Sequence, residues 1–121
     1  MTFKGIMYLF QYVSDLQASA DFYTALGFKL GTNEQDVRGF SFGSGYLVIH
    51  TDTREKNPGK FQGGTYPAVH VEDVDALHAE YTAKGLKPDE PSNMPWGERS
   101  FRVDDPDGYT WTFAMAVTPG A

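Results

Sequence analysis

The chain has 121 residues, of which 40% are hydrophobic and 21% are charged, so we expect one domain with a packed core. Its formal net charge of −6 at pH 7 argues against nucleic acid as a partner, because phosphate binding needs clustered lysine and arginine. The absence of cysteine excludes disulfides, thiolate nucleophiles and cysteine-based metal sites. No apolar run approaches the roughly 18 residues of a spanning helix, and no signal-peptide pattern opens the chain. We therefore expect a cytoplasmic protein without a membrane partner.

The sequence repeats itself at an offset of 58 positions. Residues 8–29 and 66–87 share nine identities in 22 aligned positions, where composition alone gives about one or two. Gly27 matches Gly85, for example. A repeat of this length predicts two copies of one structural unit.

The first half begins with an alternating aromatic and aliphatic run at residues 6–13, which predicts a strand. A helix should follow, with Asp15 as its N-cap and Gly27 after its last turn. Its apolar stripe is predicted to be Ala18, Phe22 and Leu26. Three further strands are predicted at residues 29–33, 37–42 and 46–52.

The second half repeats this order, with strands predicted at residues 65–71, 86–90, 99–103 and 110–116. Asp73 is the predicted N-cap of its helix, and the helical stripe consists of Val74, Leu77 and Tyr81. The DPDG sequence at residues 105–108 predicts a tight turn, in which the acidic side chains at 104, 105 and 107 serve the turn rather than a cation.

These elements predict a single α+β domain over residues 1–121. Two tandem β-α-β-β-β modules, residues 1–52 and 65–117, should form curved mixed sheets around a cavity. The Pro- and Gly-containing residues 53–64 are the predicted linker.

Two segments, YVSDLQASADFYTALGF and PWGERSFRVDDPDGYTWTF, resemble the opening and the ending of the vicinal oxygen chelate family. This family includes glyoxalases, extradiol dioxygenases and the metal-free bleomycin-binding resistance proteins. The resemblance covers nearly the whole chain and implies the two-module fold, a small-molecule ligand and a homodimer. It leaves the activity open, because one scaffold carries many chemistries.

The resemblance also indicates where a metal would be held. The family's ligand positions fall here on Tyr8, on Val48 or Ile49, on Tyr66 and on Thr112. Such an ion needs histidine, carboxylate or amide ligands, and neutral hydroxyls are weak substitutes. We therefore predict no metal and no cofactor, and whether the protein is an enzyme stays open.

Strand alternation predicts which side chains face the cavity. If Tyr8 and Tyr66 face it, then Phe10, Tyr12 and His70 face it too. Aromatic rings in a pocket favour a flat or cationic ligand by stacking and cation–π attraction. The alternative is that these rings only fill a core.

Four further residues are candidates for ligand contact. His50 could face the cavity or the core, depending on a one-residue alignment gap, and Trp96 follows a proline in a loop that could cover the cavity. Glu98 and Arg102 share strand parity, so they could orient a polar ligand or form a surface ion pair.

The sequence therefore predicts a metal-independent small-molecule binding protein that could sequester an aromatic or cationic compound such as an antibiotic. The alternative is a glyoxalase-like lyase, isomerase or dioxygenase, in which His50, His70 or Glu98 transfers protons. A purely structural module would explain the fold but not the aromatic residues.

Overall fold

A computed structural model describes residues 1–51 and 67–117 of the chain. The chain divides into two compact units, Met1–Gln62 and Gly63–Ala121. In the described residues each unit contains one helix and one four-stranded mixed sheet. The α+β class and the repeated β-α-β-β-β order predicted from the sequence are thus confirmed. Neither described helix has the length and apolar character needed to cross a membrane.

The first unit consists of β1 (Leu9–Tyr12), α1 (Leu16–Leu26), β2 (Lys29–Glu34), β3 (Val37–Phe42) and β4 (Gly45–His50). Its sheet has the order β1-β4-β3-β2. Strand β1 runs parallel to β4, while β2–β3 and β3–β4 are antiparallel. The opening strand is shorter than the predicted residues 6–13.

Helix α1 covers one face of this sheet. Tyr23, Phe40 and Leu47 are completely buried there, and the Tyr23 hydroxyl donates to Gln11 Oε1 at 3.1 Å. Burying such side chains stabilises a fold by about 1.5 to 3 kcal/mol each.

The predicted stripe of α1 is wrong in two of its three residues. Ser19, Tyr23 and Leu26 are buried on the helix, whereas Ala18 and Phe22 are only half-buried. The apolar pattern selected Ala18 and Phe22 instead of their neighbours Ser19 and Tyr23, because a serine on the buried face is not part of an apolar pattern.

The helix starts follow the sequence prediction. Asp15 Oδ1 accepts the Ala18 N–H at 3.0 Å, and Asp73 Oδ1 accepts the Ala76 N–H at 3.0 Å. Gly27 closes α1 with a φ of 96°, a left-handed conformation that glycine adopts without a Cβ penalty.

The second unit consists of β5 (Ala68–His70), α2 (Val74–Ala83), β6 (Ser92–Met94), β7 (Glu98–Asp104) and β8 (Thr110–Ala116). Its sheet order is β5-β8-β7-β6, with β5 parallel to β8 and the other pairs antiparallel. Val74 and Tyr81 of α2 are buried with Phe101, Trp111 and Phe113 of the sheet.

The strand predicted at residues 86–90 is wrong, because the second strand of this unit in chain order is β6, at Ser92–Met94. The Asp89 N–H does bond to Arg102 O at 3.0 Å, so this segment runs beside β7. Pro88 and Pro91 lack the N–H that a continuous ladder needs. Regular pairing starts only at Ser92, after the second proline.

The DPDG turn forms as predicted. Asp105 Oδ1 accepts the backbone N–H groups of Asp107 at 2.9 Å and Tyr109 at 2.8 Å. Gly108 has a φ of 89°. The predicted linker, residue 52 of the fourth predicted strand and the start of the strand predicted at residues 65–71 lie outside the described residues.

Candidate functional site

Each sheet has a second face, opposite its helix, and the predicted ligand-contacting residues that belong to described strands lie on this face. In the first unit Leu47 and Ile49 of β4 point into the core and are 0% exposed. Strand alternation therefore places Val48 and His50 on the opposite face. Phe10 and Tyr12 lie on the same face, because Phe10 pairs with Val48 and Tyr12 with His50.

Three rings form a cluster on this face, which we call the His50 cluster. The Phe10 and Tyr12 ring centroids are 5.1 Å apart in an edge-to-face arrangement. His50 lies 6.1 Å from Phe10, stacked, and 6.2 Å from Tyr12, edge-to-face. Phe10 and Tyr12 are 47% and 37% exposed, so these rings do not fill the core. The His50 Nδ1 atom is buried and has no hydrogen-bond partner in the described part of the chain.

Tyr8 precedes β1 and is half-exposed. Tyr66 lies outside the described residues.

The strand register settles which residue of β4, Val48 or Ile49, corresponds to the family's metal-ligand position. Ala68 pairs with Thr112 in the second unit as Phe10 pairs with Val48 in the first. Val48 is therefore the counterpart of Thr112, and Ile49 belongs to the core.

This set of residues does not fit a divalent ion. Val48 has no donor atom, and the hydroxyls of Tyr8, Tyr66 and Thr112 are poor ligands when neutral. The described residues also contain no group of three or more His, Asp or Glu side chains that could hold a metal.

In the second unit, a pocket of ≈ 330 Å³, here called the Trp96 pocket, brings three predicted residues together. His70, Trp96 and Glu98 line it, with Ala68, Val69, Gly97, Ala114, Met115 and Ala116. The Trp96 side chain is 69% exposed, so its indole is available to a ligand. The pocket thus combines an aromatic ring, a carboxylate and an imidazole.

Local structure explains this arrangement. Trp96 lies in the turn between β6 and β7, where Gly97 has a φ of 88° and donates its N–H to Met94 O at 3.1 Å. His70 ends β5 directly opposite Ala114. The small Ala114 side chain leaves room beside the imidazole.

A second pocket on the same sheet face has a volume of ≈ 800 Å³ and is called the Arg102 pocket. It is lined by Lys87, Asp89, Arg102, Val103, Asp104, Thr110 and Thr112. Glu98 and Arg102 do share one face, as predicted, yet they line different pockets. Four residues of strand separate their Cα atoms by about 13 Å, and the described residues show no ion pair between them.

Sequence reasoning did not select Lys87, Asp89 or Thr110. Lys87 and Asp89 fell in a segment that was wrongly predicted as a strand. Thr110 is on the same face of β8 as Thr112, so alternation could have identified it.

A family model described as the Glyoxalase/Bleomycin resistance protein/Dioxygenase superfamily matches residues 5–113. The chain therefore belongs to this superfamily, in agreement with the resemblance and with the fold of both units. No curated protein sequence matches the chain.

Solved structures of the superfamily share the fold at low sequence identity. A glyoxalase/bleomycin resistance protein/dioxygenase from Nocardioides has a TM-score of 0.78 at 23% identity, covering 99% of this chain and 88% of its own. TnmS3, an antibiotic binding protein from Streptomyces sp. CB03234, has a TM-score of 0.77 at 24% identity, with 96% and 98% covered. A lactoylglutathione lyase from Agrobacterium tumefaciens has a TM-score of 0.74 at 20% identity, with 93% of both chains covered.

Proposed function

We propose that this protein is a metal-independent small-molecule binding protein that sequesters an aromatic or cationic compound such as an antibiotic. One observation carries the proposal, namely the exposed indole of Trp96 in one pocket with the Glu98 carboxylate and the His70 imidazole. The chemistry of the metal-ligand positions also supports binding without a metal. Among proteins of this fold, TnmS3 is described as an antibiotic binding protein.

The Trp96 pocket favours a flat cation. A cation over an indole face gains about 0.5 to 2 kcal/mol, and more where water is excluded. The Glu98 carboxylate adds attraction of the same sign, and Ala68 and Ala114 offer apolar surface to a planar ring. A planar ligand with one positive charge satisfies all three features.

The proposal is tested with a matched pair of probes, the aromatic cation N-methylquinolinium and its neutral relative quinoline at pH 7. Binding is followed by calorimetry and by quenching of Trp96 fluorescence. We expect the cation to bind more tightly than quinoline. Trp96→Ala should weaken both probes by about tenfold, which corresponds to about 1.4 kcal/mol, whereas Glu98→Gln should weaken only the cation.

The control is Glu80→Gln, which removes the same charge from an exposed position of helix α2, where Glu80 pairs with Lys84 at 3.7 Å. It should leave both affinities unchanged. Equal affinities of wild type and Trp96→Ala would overturn the proposed pocket. A parallel titration with bleomycin asks whether the ligand is a drug of the kind sequestered in this family.

The His50 cluster is proposed as a second ligand-contacting surface of the same protein. Its rings are partly exposed and already arranged for stacking. Phe10→Ala should weaken N-methylquinolinium if the cluster contributes to binding. An unchanged affinity would restrict binding to the Trp96 pocket.

The second candidate function is a lyase, isomerase or dioxygenase. It is favoured by the occurrence of His70 and Glu98 in one pocket, since two titratable groups beside a ligand can act as acid and base. The test is metal analysis of the purified protein, a thermal-shift titration with divalent ions and an assay for lactoylglutathione formation. Stoichiometric metal, or turnover abolished by His70→Ala, would favour the enzyme over the binding protein.

We further propose that the protein is a cytoplasmic homodimer with antibiotic resistance as its biological role. A homodimer would protect the open sheet edges. Sedimentation equilibrium measures the mass, and expression in a susceptible host measures resistance to bleomycin. A monomer at micromolar concentration, or unchanged susceptibility, would contradict the corresponding part.

A further inference from the structure

We propose that the Arg102 pocket binds an oxyanion group, the carboxylate or phosphate of a small molecule. This inference concerns a pocket separate from the Trp96 pocket and does not require that pocket to bind a cation. It depends on two exposed cations, Lys87 and Arg102, which line one concave surface.

Neither cation has an ion-pair partner within the ranges that the structure describes, although two aspartates line the same pocket. One oxygen of each carboxylate accepts a hydrogen bond from a neutral donor instead. Asp89 Oδ1 accepts the Arg102 backbone N–H at 2.6 Å, and Asp104 Oδ1 accepts the Thr110 hydroxyl at 2.7 Å. The guanidinium and the ammonium therefore remain available to a ligand.

Strand β7 carries two arginines, Arg99 and Arg102. Of the two, only the arginine on the open face lacks side-chain partners among the described residues. Arg99 points to the helix side, where it binds Asp75 through two nitrogens and Asn93 through the third. Arg102 makes no such side-chain contacts among the described residues. One arginine of the strand thus joins the helix to the sheet, whereas the guanidinium of the other bonds to no side chain in the described part of the chain.

The geometry suits an oxyanion. Arg102 lies directly opposite Thr112 on β8, so a guanidinium and a hydroxyl donor face the same space. A planar guanidinium matches the two oxygens of a carboxylate or phosphate, while a lysine adds an adaptable point charge. The volume of ≈ 800 Å³ lies within the usual range of small-molecule pockets.

The net charge of the whole protein does not favour the binding of an anion in this pocket. A net charge of −6 repels anions at long range, so general electrostatic attraction cannot supply the affinity. Binding of an anion must come from local contacts to Arg102, Lys87 and Thr112.

The test is an NMR titration of the full chain with two probes, inorganic phosphate and benzoate. We expect shifts at the backbone amides of Lys87, Arg102 and Thr112 and at the Arg102 Nε–H. Arg102→Gln should weaken the better probe by about tenfold or more, and Arg102→Lys, which keeps the charge but loses the fork, should have an intermediate effect. A preference for benzoate or phosphate identifies the oxyanion.

Lys84→Gln is the matched control, since it removes one positive charge from the same unit at the end of helix α2. It should leave the affinity unchanged. Equal losses in Lys84→Gln and Arg102→Gln, or shifts that do not localise to the pocket, would overturn the proposal. The amide spectrum of each variant reports its folding, and Arg102→Lys preserves the test if Arg102→Gln unfolds. N-methylquinolinium binding by Arg102→Gln shows whether the Trp96 pocket is intact, so the two proposals fail separately.

Discussion

Arg99 of β7 holds Asp75 of α2 through two parallel hydrogen bonds, Nε to Oδ2 at 3.0 Å and Nη2 to Oδ1 at 2.8 Å. Its remaining nitrogen, Nη1, donates to Asn93 Oδ1 on β6 at 3.0 Å. One side chain therefore joins the helix of the second unit to two strands of its sheet. This arrangement fixes the helix side of β7, so that Arg102 must face the opposite side.

The Asp75–Arg99 pair should give the stability a pH dependence at the acid end. The hydrogen bond from Arg99 holds the pKa of Asp75 below its ordinary value of 3.8. A lowered carboxyl pKa stabilises the fold above the unfolded-state value, and this stabilisation disappears as the pH falls through the folded-state pKa. Asp75→Asn should therefore lower the urea midpoint at pH 7, and the deficit should shrink below about pH 4. Asp36→Asn, on an exposed turn of the first unit, should show no such change.

Tyr109 should make the second unit sensitive to alkali. Burial, together with the charges of Asp105 and Asp107, raises the pKa of Tyr109 from 10.0 to about 12. A raised tyrosine pKa stabilises the folded state below the unfolded-state value, and that stabilisation is lost as the pH rises from about 10 towards 12. Tyr109→Phe should remove one late ionisation from the absorbance titration and reduce the loss of stability in this range. Identical alkaline titrations of the two proteins would contradict the assignment.

The two N-caps, Asp15 and Asp73, should contribute equally to the free energy of unfolding. Asp15→Ala and Asp73→Ala each remove one capping hydrogen bond and should each lower the free energy of unfolding by about 1 kcal/mol. Asp15→Asn and Asp73→Asn keep an accepting oxygen and should recover most of the loss. Urea denaturation of the four variants makes the comparison. An alanine variant as stable as wild type would mean that its cap contributes nothing.

Tyr46 should stabilise an irregularity in β2, where the pairing with β3 shifts register between Leu30 and Asn33. Its hydroxyl bonds to the Thr32 N–H at 3.1 Å and to Thr32 Oγ1 at 2.7 Å, and a Cβ at Gly39 would overlap the Tyr46 phenol. Tyr46→Phe removes both bonds and should cost about 1 kcal/mol. Tyr8→Phe, at a half-exposed position before β1, is the control and should be neutral.

Local signals predicted the caps, Gly27 and the DPDG turn correctly, because each depends on a few neighbouring residues. Features that depend on partners distant in sequence were harder. The buried face of α1 includes Ser19, which no apolar pattern reveals, and the start of β6 depends on two prolines beside β7. The facing of His50 needed the pairing of Tyr12 with His50, which resolves the one-residue ambiguity in the alignment. The Arg102 pocket needed the side-chain contacts that distinguish Arg102 from Arg99.

The two tryptophans should report separately on the site and on the core. Trp96 is 69% exposed, whereas Trp111 is 0% exposed. Trp96→Phe should leave an emission spectrum shifted to shorter wavelength and a residual fluorescence that acrylamide quenches weakly, because only the buried indole remains. The same substitution should remove the quenching by N-methylquinolinium while Trp111 still reports unfolding. Strong acrylamide quenching of Trp96→Phe would mean that the core around Trp111 is open to solvent. The quenching of wild-type fluorescence by N-methylquinolinium could then not be assigned to Trp96 in a ligand pocket.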